Sequence, residues 1–415
     1  MRGFPLRLVL VCLAVLMAGV EAVPTAAVAQ NNRLTDRSYL PSPVVRGMGD
    51  AGVALPGIEQ GFFYNPAHLP NVPSHFTIFG VQGAASRSIE DQIRFYNEEV
   101  APAAQSQFNL SAEAQANLYR EADALRRIPG RGQGGILLPS FVYSSGAFGI
   151  GGGVFAKTAV NYRVQGNEAD VPSVWLLNRT DVMALGSLGL DLRTIGLPGV
   201  SVGITGTQTR RFLTFRNEPL TRVAPEETSV RLEGATFQVD AGLTYAPGWI
   251  GGPGTVRFGG AVYDVLEHGY GYTVGDEPGR MPFLDDVAGR SGDDVSDRDA
   301  RRARQAFALE PSYRVGAAYQ LASLFFLDDV AVALDYQGYG SGGQPGVKRL
   351  HAGIRARLVG PLRVRAGLGS GRPSGGLGLE IGALHLDYAL HGGEEGPPKR
   401  LRTYVHTVRL LLRLE

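Results

Sequence analysis

The C-terminal third of the chain alternates. Across residues 403–414, Tyr404, His406, Val408, Leu410, Leu412 and Leu414 share one side of an extended chain, and Thr403, Thr407, Arg409 and Arg413 share the other, because successive strand side chains point to opposite faces. Residues 349–358 repeat this, with Leu350, Ala352, Ile354, Ala356 and Leu358 set against Arg349, His351, Arg355 and Arg357. In 362–368, Leu362, Val364, Ala366 and Leu368 oppose Arg363 and Arg365. Extended along the chain, the same template predicts fourteen strands, near 75–84, 134–144, 147–161, 181–193, 200–212, 229–246, 254–267, 311–323, 328–338, 347–358, 361–370, 374–381, 383–391 and 402–414. Most have the ~9 to 11 residues that a tilted membrane strand requires. Every second connection is short and the others are generally longer. A transmembrane antiparallel β-barrel has this alternation, with both termini on the short-turn side; a sandwich of two sheets has no reason for it.

The N-terminal region has other patterns. Arg2 and Arg7 precede an apolar run from Leu8 to Val20, and Ala27-Val28-Ala29 offers a cleavage site, so 1–29 reads as a signal peptide and the chain as exported. No later segment reaches the ~18 apolar residues of a membrane helix. Residues 46–70, RGMGDAGVALPGIEQGFFYNPAHLP, hold too many glycines and prolines for a regular element, yet they carry Met48, Val53, Leu55, Phe62, Phe63 and Tyr64. A segment both irregular and apolar must be packed inside something, so 30–73 is expected to plug a barrel formed by 74–415. Two insertions interrupt that barrel, at 85–133 and 268–310. The first reads as one or two helices, with Leu110, Ala114, Leu118 and Ala122 at four-residue intervals and Ser111 opening a helix. The second holds Asp285, Asp286, Asp293, Asp294, Asp297 and Asp299 without the spacing of an EF-hand, and reads as a solvated acidic loop.

The pattern GMGxAGVA from Gly47 to Ala54, followed by FYNPA from Phe63 to Ala67, resembles the N-terminal hatch of the FadL-like superfamily of outer-membrane barrels. That group includes long-chain fatty acid transporters and the PorV/PorQ-like proteins of type IX secretion. The resemblance implies a bacterial outer-membrane channel for passive uptake of hydrophobic or amphipathic, fatty-acid-like solutes. It leaves open a PorV-like accessory or shuttle that binds a secreted protein or a secretion component, and a purely structural barrel. It also implies hatch glycines at Gly47, Gly49 and Gly52, and an inward kink of the third strand that opens the wall laterally, for which Gly151, Gly152 and Gly153 are the candidates. Ordinary barrel glycine is the alternative for those three. The terminal Leu414-Glu415 departs from the aromatic ending common among such barrels.

Composition changes the picture in three ways. Glycine supplies 57 of 415 residues, about twice the usual ~7%. A formal charge of +1 with no basic stripe argues against a nucleic-acid partner. The one cysteine, Cys12, lies in the signal segment, so no disulfide and no cysteine metal site is expected after processing. No G-x-S-x-G elbow, H-E-x-x-H pair or P-loop is present, and neither enzyme activity, cofactor nor metal is expected.

Candidate chemistry therefore concentrates in the lumen. Phe62, Phe63 and Tyr64, fixed in direction by the Asn65-Pro66 corner, are the best surface for an acyl or aromatic ligand, with His68 nearby. Arg355, Arg365 and Arg409 belong to a basic lumen face that Glu380, Asp387 and His385 oppose. Either a structural ladder of ion pairs or a site for a carboxylate headgroup would account for it.

Overall fold

The computed structural model describes residues 42–57, 63–100, 102, 109, 111–126, 130–165, 173–219, 230–248, 253–266, 271–274, 311–339, 350–358, 360–395 and 401–415. The expected signal peptide, Phe62, Arg349 and the acidic run 285–299 lie outside them. Among the described residues, fifteen strands form one antiparallel sheet: β1 (His75–Ser86), β2 (Gly130–Ser144), β3 (Phe148–Gln165), β4 (Ser173–Asp191), β5 (Val200–Pro219), β6 (Val230–Tyr245), β7 (Gly254–Tyr263), β8 (Gly271–Val274), β9 (Ser312–Leu324), β10 (Leu327–Tyr339), β11 (Leu350–Arg357), β12 (Leu362–Gly369), β13 (Arg372–Ile381), β14 (Leu384–Glu395) and β15 (Leu401–Leu414). β1 pairs with β15 and β5 with β6, so the sheet closes on itself.

The wall has fourteen positions, as the alternation predicts, because β7 and β8 share one. β6 pairs with β7 through 241–245 and with β8 through 232–235. The single strand expected over 254–267 is thus broken. Asp264 turns to φ 57° and gives its N–H to the Asp240 carboxylate at 2.9 Å, and the Gln238 amide donates to Asp264 Oδ1 at 2.6 Å. Those side-chain bonds replace the next rung of the ladder. Part of the expected 268–310 insertion then returns to the wall as β8.

Register carries the lipid-facing assignment. Leu410 stands opposite Val81 on β1 and Leu386 on β14, whereas Arg409 stands opposite Gln82 and Asp387. The first row is apolar and outward, with Val81 and Leu386 exposed; the second is buried. A one-residue slip would reverse both rows. Exposed Ile136, Ile204, Val332, Leu334, Ile354 and Leu377 continue the apolar exterior around the barrel. A closed, hydrogen-bonded wall with that exterior is what spanning a bilayer demands.

The described part of the first insertion, which excludes Leu110, is helical as expected. α2 (Arg87–Phe95) runs into a π-type turn, Tyr96–Val100, and α3 (Ala112–Arg126) follows. Ser111 Oγ accepts the Ala114 N–H at 3.2 Å, an N-terminal cap. Leu118, Ala122 and Leu125 are buried on one face of α3, which packs on β3.

Candidate functional site: the plugged lumen

Inside the barrel the first described element is α1 (Pro43–Gly47). Ser42 caps it by accepting the Val44 N–H at 3.3 Å, and Pro43 takes the first turn, where its missing N–H costs nothing. Residues 48–57 follow as turns, and a 3-10 helix, Pro66–Asn71, leads into β1. Val45, Met48, Ala51, Ala54, Leu55, Phe63, Tyr64 and Leu69 are all buried, in one cluster with wall residues such as Leu137, Phe155 and Leu411. That burial resolves the conflict between irregular backbone and apolar side chains.

An irregular segment also carries unpaired backbone groups, and the wall satisfies them with side chains. Asp335 Oδ2 on β10 accepts the N–H groups of Gly52 and Val53 at 2.7 and 2.9 Å. His351 Nδ1 bonds Gly49 O at 2.8 Å, Ser374 donates to Gly47 O at 3.2 Å, and Tyr263 donates to Tyr64 O at 2.6 Å. Ser144 donates to Pro70 O at 2.7 Å. Arg314 donates to Asp50 O and, at 2.6 Å, to Gln337. Asp50 pairs with Arg46 within the plug. Burial alone would raise the Asp50 carboxyl, but Arg46, with His351 and Arg314, holds it below its ordinary range.

Asn65 is the corner that its position before proline implies. At φ −159° and ψ 104° it caps the 3-10 helix by accepting the Ala67 N–H at 3.1 Å. Its amide donates to Val53 O at 2.9 Å and to Leu243 O on β6 at 3.1 Å. The side chain thus ties both halves of the plug to the wall. His68 joins them too, with Nε2 donating to Val53 O at 2.9 Å. Burial first, and the nearby Arg257 second, push its pKa from 6.5 down to about 3.

A pH dependence follows. In the seated plug His68 stays neutral down to about pH 3, whereas in a released plug it protonates below its ordinary 6.5. Its contribution is complete above that ordinary value and lost progressively as pH falls from there towards about 3. Deuterium exchange of residues 63–71 should therefore quicken, after correction for intrinsic rates, between pH 7 and ~4.5. In His68→Gln the change should be smaller. An equal change in both would assign it to another group.

Phe63 meets Phe155 of β3 edge to face, with centroids 4.8 Å apart. Such a contact is worth about 0.5–1.5 kcal/mol beyond its area. Beside it lies a cleft lined by Phe63, Phe155, Leu137 and Leu411, by the β1 stretch 80–82 and the β2 stretch 135–137, and by Arg409. Tyr64, Asn65, Pro66 and His68 lie in the same plug segment but do not line it. Arg355 and Arg365 are also elsewhere.

Those arginines form the ladder. Asp387 takes Arg365 and Arg409, each at 2.8 Å; Glu380 takes Arg363 at 2.8 Å, with His385 at 3.7 Å. Asp329, which the alternation did not single out, takes Arg355 at 3.5 Å and Arg363 at 3.9 Å. Gly378 stands in register with Arg363 and Asp387, and a side chain there would meet the Arg365 guanidinium and the Asp387 carboxylate. Its absence lets the pair reach across β13.

The three candidate glycines of the third strand stay within the ladder on both sides. Gly151, Gly152 and Gly153 remain paired to Val142, Phe141 and Ser140 on β2 and to Ser187, Gly186 and Leu185 on β4. The register shift lies in β2 instead, between Leu137 and Ser140, where Pro139 cannot donate to a ladder. The three glycines make room for neighbours: Leu69 at Gly151, the Phe141 ring at Gly152 and Ser140 at Gly153.

Solved barrels resemble this one at low identity. The toluene transporter TbuX of Ralstonia pickettii is 14% identical over 90% of this chain and 98% of its own, with a TM-score of 0.47. The toluene transporter TodX of P. putida is 10% identical over 90% and 97%, with a TM-score of 0.46. A FadL homologue of Pseudomonas aeruginosa is 12% identical over 90% and 97%, with a TM-score of 0.39. No family model and no curated protein matches the sequence. At such identities these likenesses decide nothing about function, which has to be read from this chain's own residues.

The most telling of those residues were not anticipated. Asp335, Arg314, His351 and Tyr263 hold the plug; His351 stood on the polar row of 349–358 without a stated role, and Asp335 left a similar mark, an acid on the inward row of a strand whose outward row is Val332 and Leu334.

Proposed function

We propose that the protein is an outer-membrane channel for passive uptake of hydrophobic or amphipathic solutes. The barrel with a lipid-facing exterior belongs in the outer membrane of a Gram-negative cell. The observation that carries the uptake reading is the apolar seam where plug meets wall, with Phe63 contributed by the plug and Phe155, Leu137 and Leu411 by the wall; its cavity is about 20 Å³, so a solute enters only as the plug shifts. An acyl chain or aromatic ring is the ligand for such a surface, and Arg409 at its edge favours one with a polar head. No energy source is encoded, so movement follows the solute gradient.

A second reading has its own observation. Ion pairs and the plug fill much of the described lumen, as in a barrel that passes no solute and serves a secreted partner through its loops. The double variant Phe63→Ala/Asn65→Ala separates the two. Wall pairing does not run through the plug, so heat-modifiable migration should be unchanged, while uptake of labelled decanoate should shift severalfold. Unchanged uptake in a folded variant, with loss of a secreted partner, would favour the secretion reading.

A further inference from the structure

The glycine content has a structural cause that also bears on gating. Gly149, Gly189, Gly203 and Gly242 stand directly opposite one another on β3, β4, β5 and β6. At the first three, an added Cβ would come no farther than 2.8 Å from main-chain or Cβ atoms of Pro66–Leu69, and at Gly242 it would strike the Asn65 side chain. A second arc faces the other half of the plug. At Gly259, Gly353, Gly367 and Gly369, on β7, β11 and β12, an added Cβ would lie no farther than 2.7 Å from main-chain atoms of Met48–Ala54. Gly353 and Gly367 are again cross-strand partners. Real Cβ atoms do not come within 3.0 Å of non-bonded heavy atoms. At every one of these positions but Gly242 the obstacles include backbone, which cannot swing aside as a side-chain tip can.

We infer that these two glycine arcs form a seat moulded to the main chain of the plug, and that this seat sets whether the channel is shut. Plug backbone lies flush on wall backbone, so water and solute are excluded without a ring of side chains. One methyl group in either arc lifts the plug and opens the lumen. Pairing within the wall would be untouched, because the added methyl points inward, away from the ladder. The opening half of the inference rests on the uptake reading; the seating half does not.

The experiment uses the full chain in detergent and in planar bilayers. Gly203→Ala and Gly367→Ala are compared with Gly186→Ala, where nothing lies within 4 Å of an added Cβ. Heat-modifiable migration reports the wall, trypsin cleavage after Arg46 in the plug reports seating, and conductance reports opening. Both seat variants should stay heat-modifiable and be cut after Arg46 at least tenfold faster than the parent, with raised conductance, and Gly186→Ala should match the parent. Parental cleavage rates in folded seat variants would overturn the seat. Faster cleavage with parental conductance would uphold the seat and count against the opening. Should a wall variant fail to assemble, Gly49→Ala tests the same contact from the plug, where an added Cβ lies 2.6 Å from the main chain of Leu368.

Discussion

Replacing Asp335 with alanine is expected to unseat the plug while the barrel stays closed. One buried carboxylate oxygen receives both the Gly52 and Val53 N–H groups, and Arg314 lies 3.8 Å from the same oxygen. Alanine leaves two buried donors without an acceptor, each costing about 1–3 kcal/mol. It also removes the nearby counter-charge of Arg314, so the loss of seating should be on the order of 3–5 kcal/mol. Asp335→Asn keeps an acceptor for the two N–H groups and loses only the charge, and its effect should be smaller. Cleavage after Arg46 orders the three proteins: parent slowest, Asn intermediate, Ala fastest, all heat-modifiable. An alanine variant cut no faster than the parent would mean that the plug does not depend on this carboxylate.

The second large effect concerns the wall itself. Leu410 lies on the outward row between Val81 and Leu386. Leu410→Arg places a charge against lipid and should cost about 2–4 kcal/mol if the residue lies near the bilayer midplane, depressing the assembled fraction on heat-modifiable gels. Thr407, in contrast, faces inward, 2% exposed and 3.2 Å from His391 Nε2. The packed lumen around it has no room for an arginine, so its alternation with Val408 identifies a lumen position without making that position tolerant of bulk. Thr407→Ser keeps the hydroxyl and should assemble as the parent does. Equal assembly of Leu410→Arg and Thr407→Ser would reverse the facing of β15.

Strands were legible because a period of two with one face in lipid leaves an unbroken mark, as in 349–358 and 403–414. The loop alternation then gave the barrel. The break after Tyr263 was hidden, because it depends on Asp240 and Gln238 reaching Asp264 from a neighbouring strand, which no local pattern encodes. Asn65-Pro66 was legible as a corner, since its restrictions are local. The wall partners of the plug were not: Tyr263 and Tyr64 are 199 residues apart. The role of glycine was the least legible. Three in a row at 151–153 stand out locally, while Gly189, Gly203, Gly353 and Gly367, spaced singly along separate strands, come together only when the sheet closes.

The most direct measurement of the central claim is uptake of radiolabelled decanoate by intact cells that carry the protein, against cells that carry the Leu411→Trp variant and cells with neither. Leu411 lines the cleft beside Phe63 and is 2% exposed, and the cleft holds only about 20 Å³, so an indole there pushes the plug away from this stretch of wall. Uptake should exceed the background severalfold with the parent and rise further with a heat-modifiable Leu411→Trp. Uptake at background with the parent, or equal uptake by parent and a folded variant, would contradict a solute path beside Phe63.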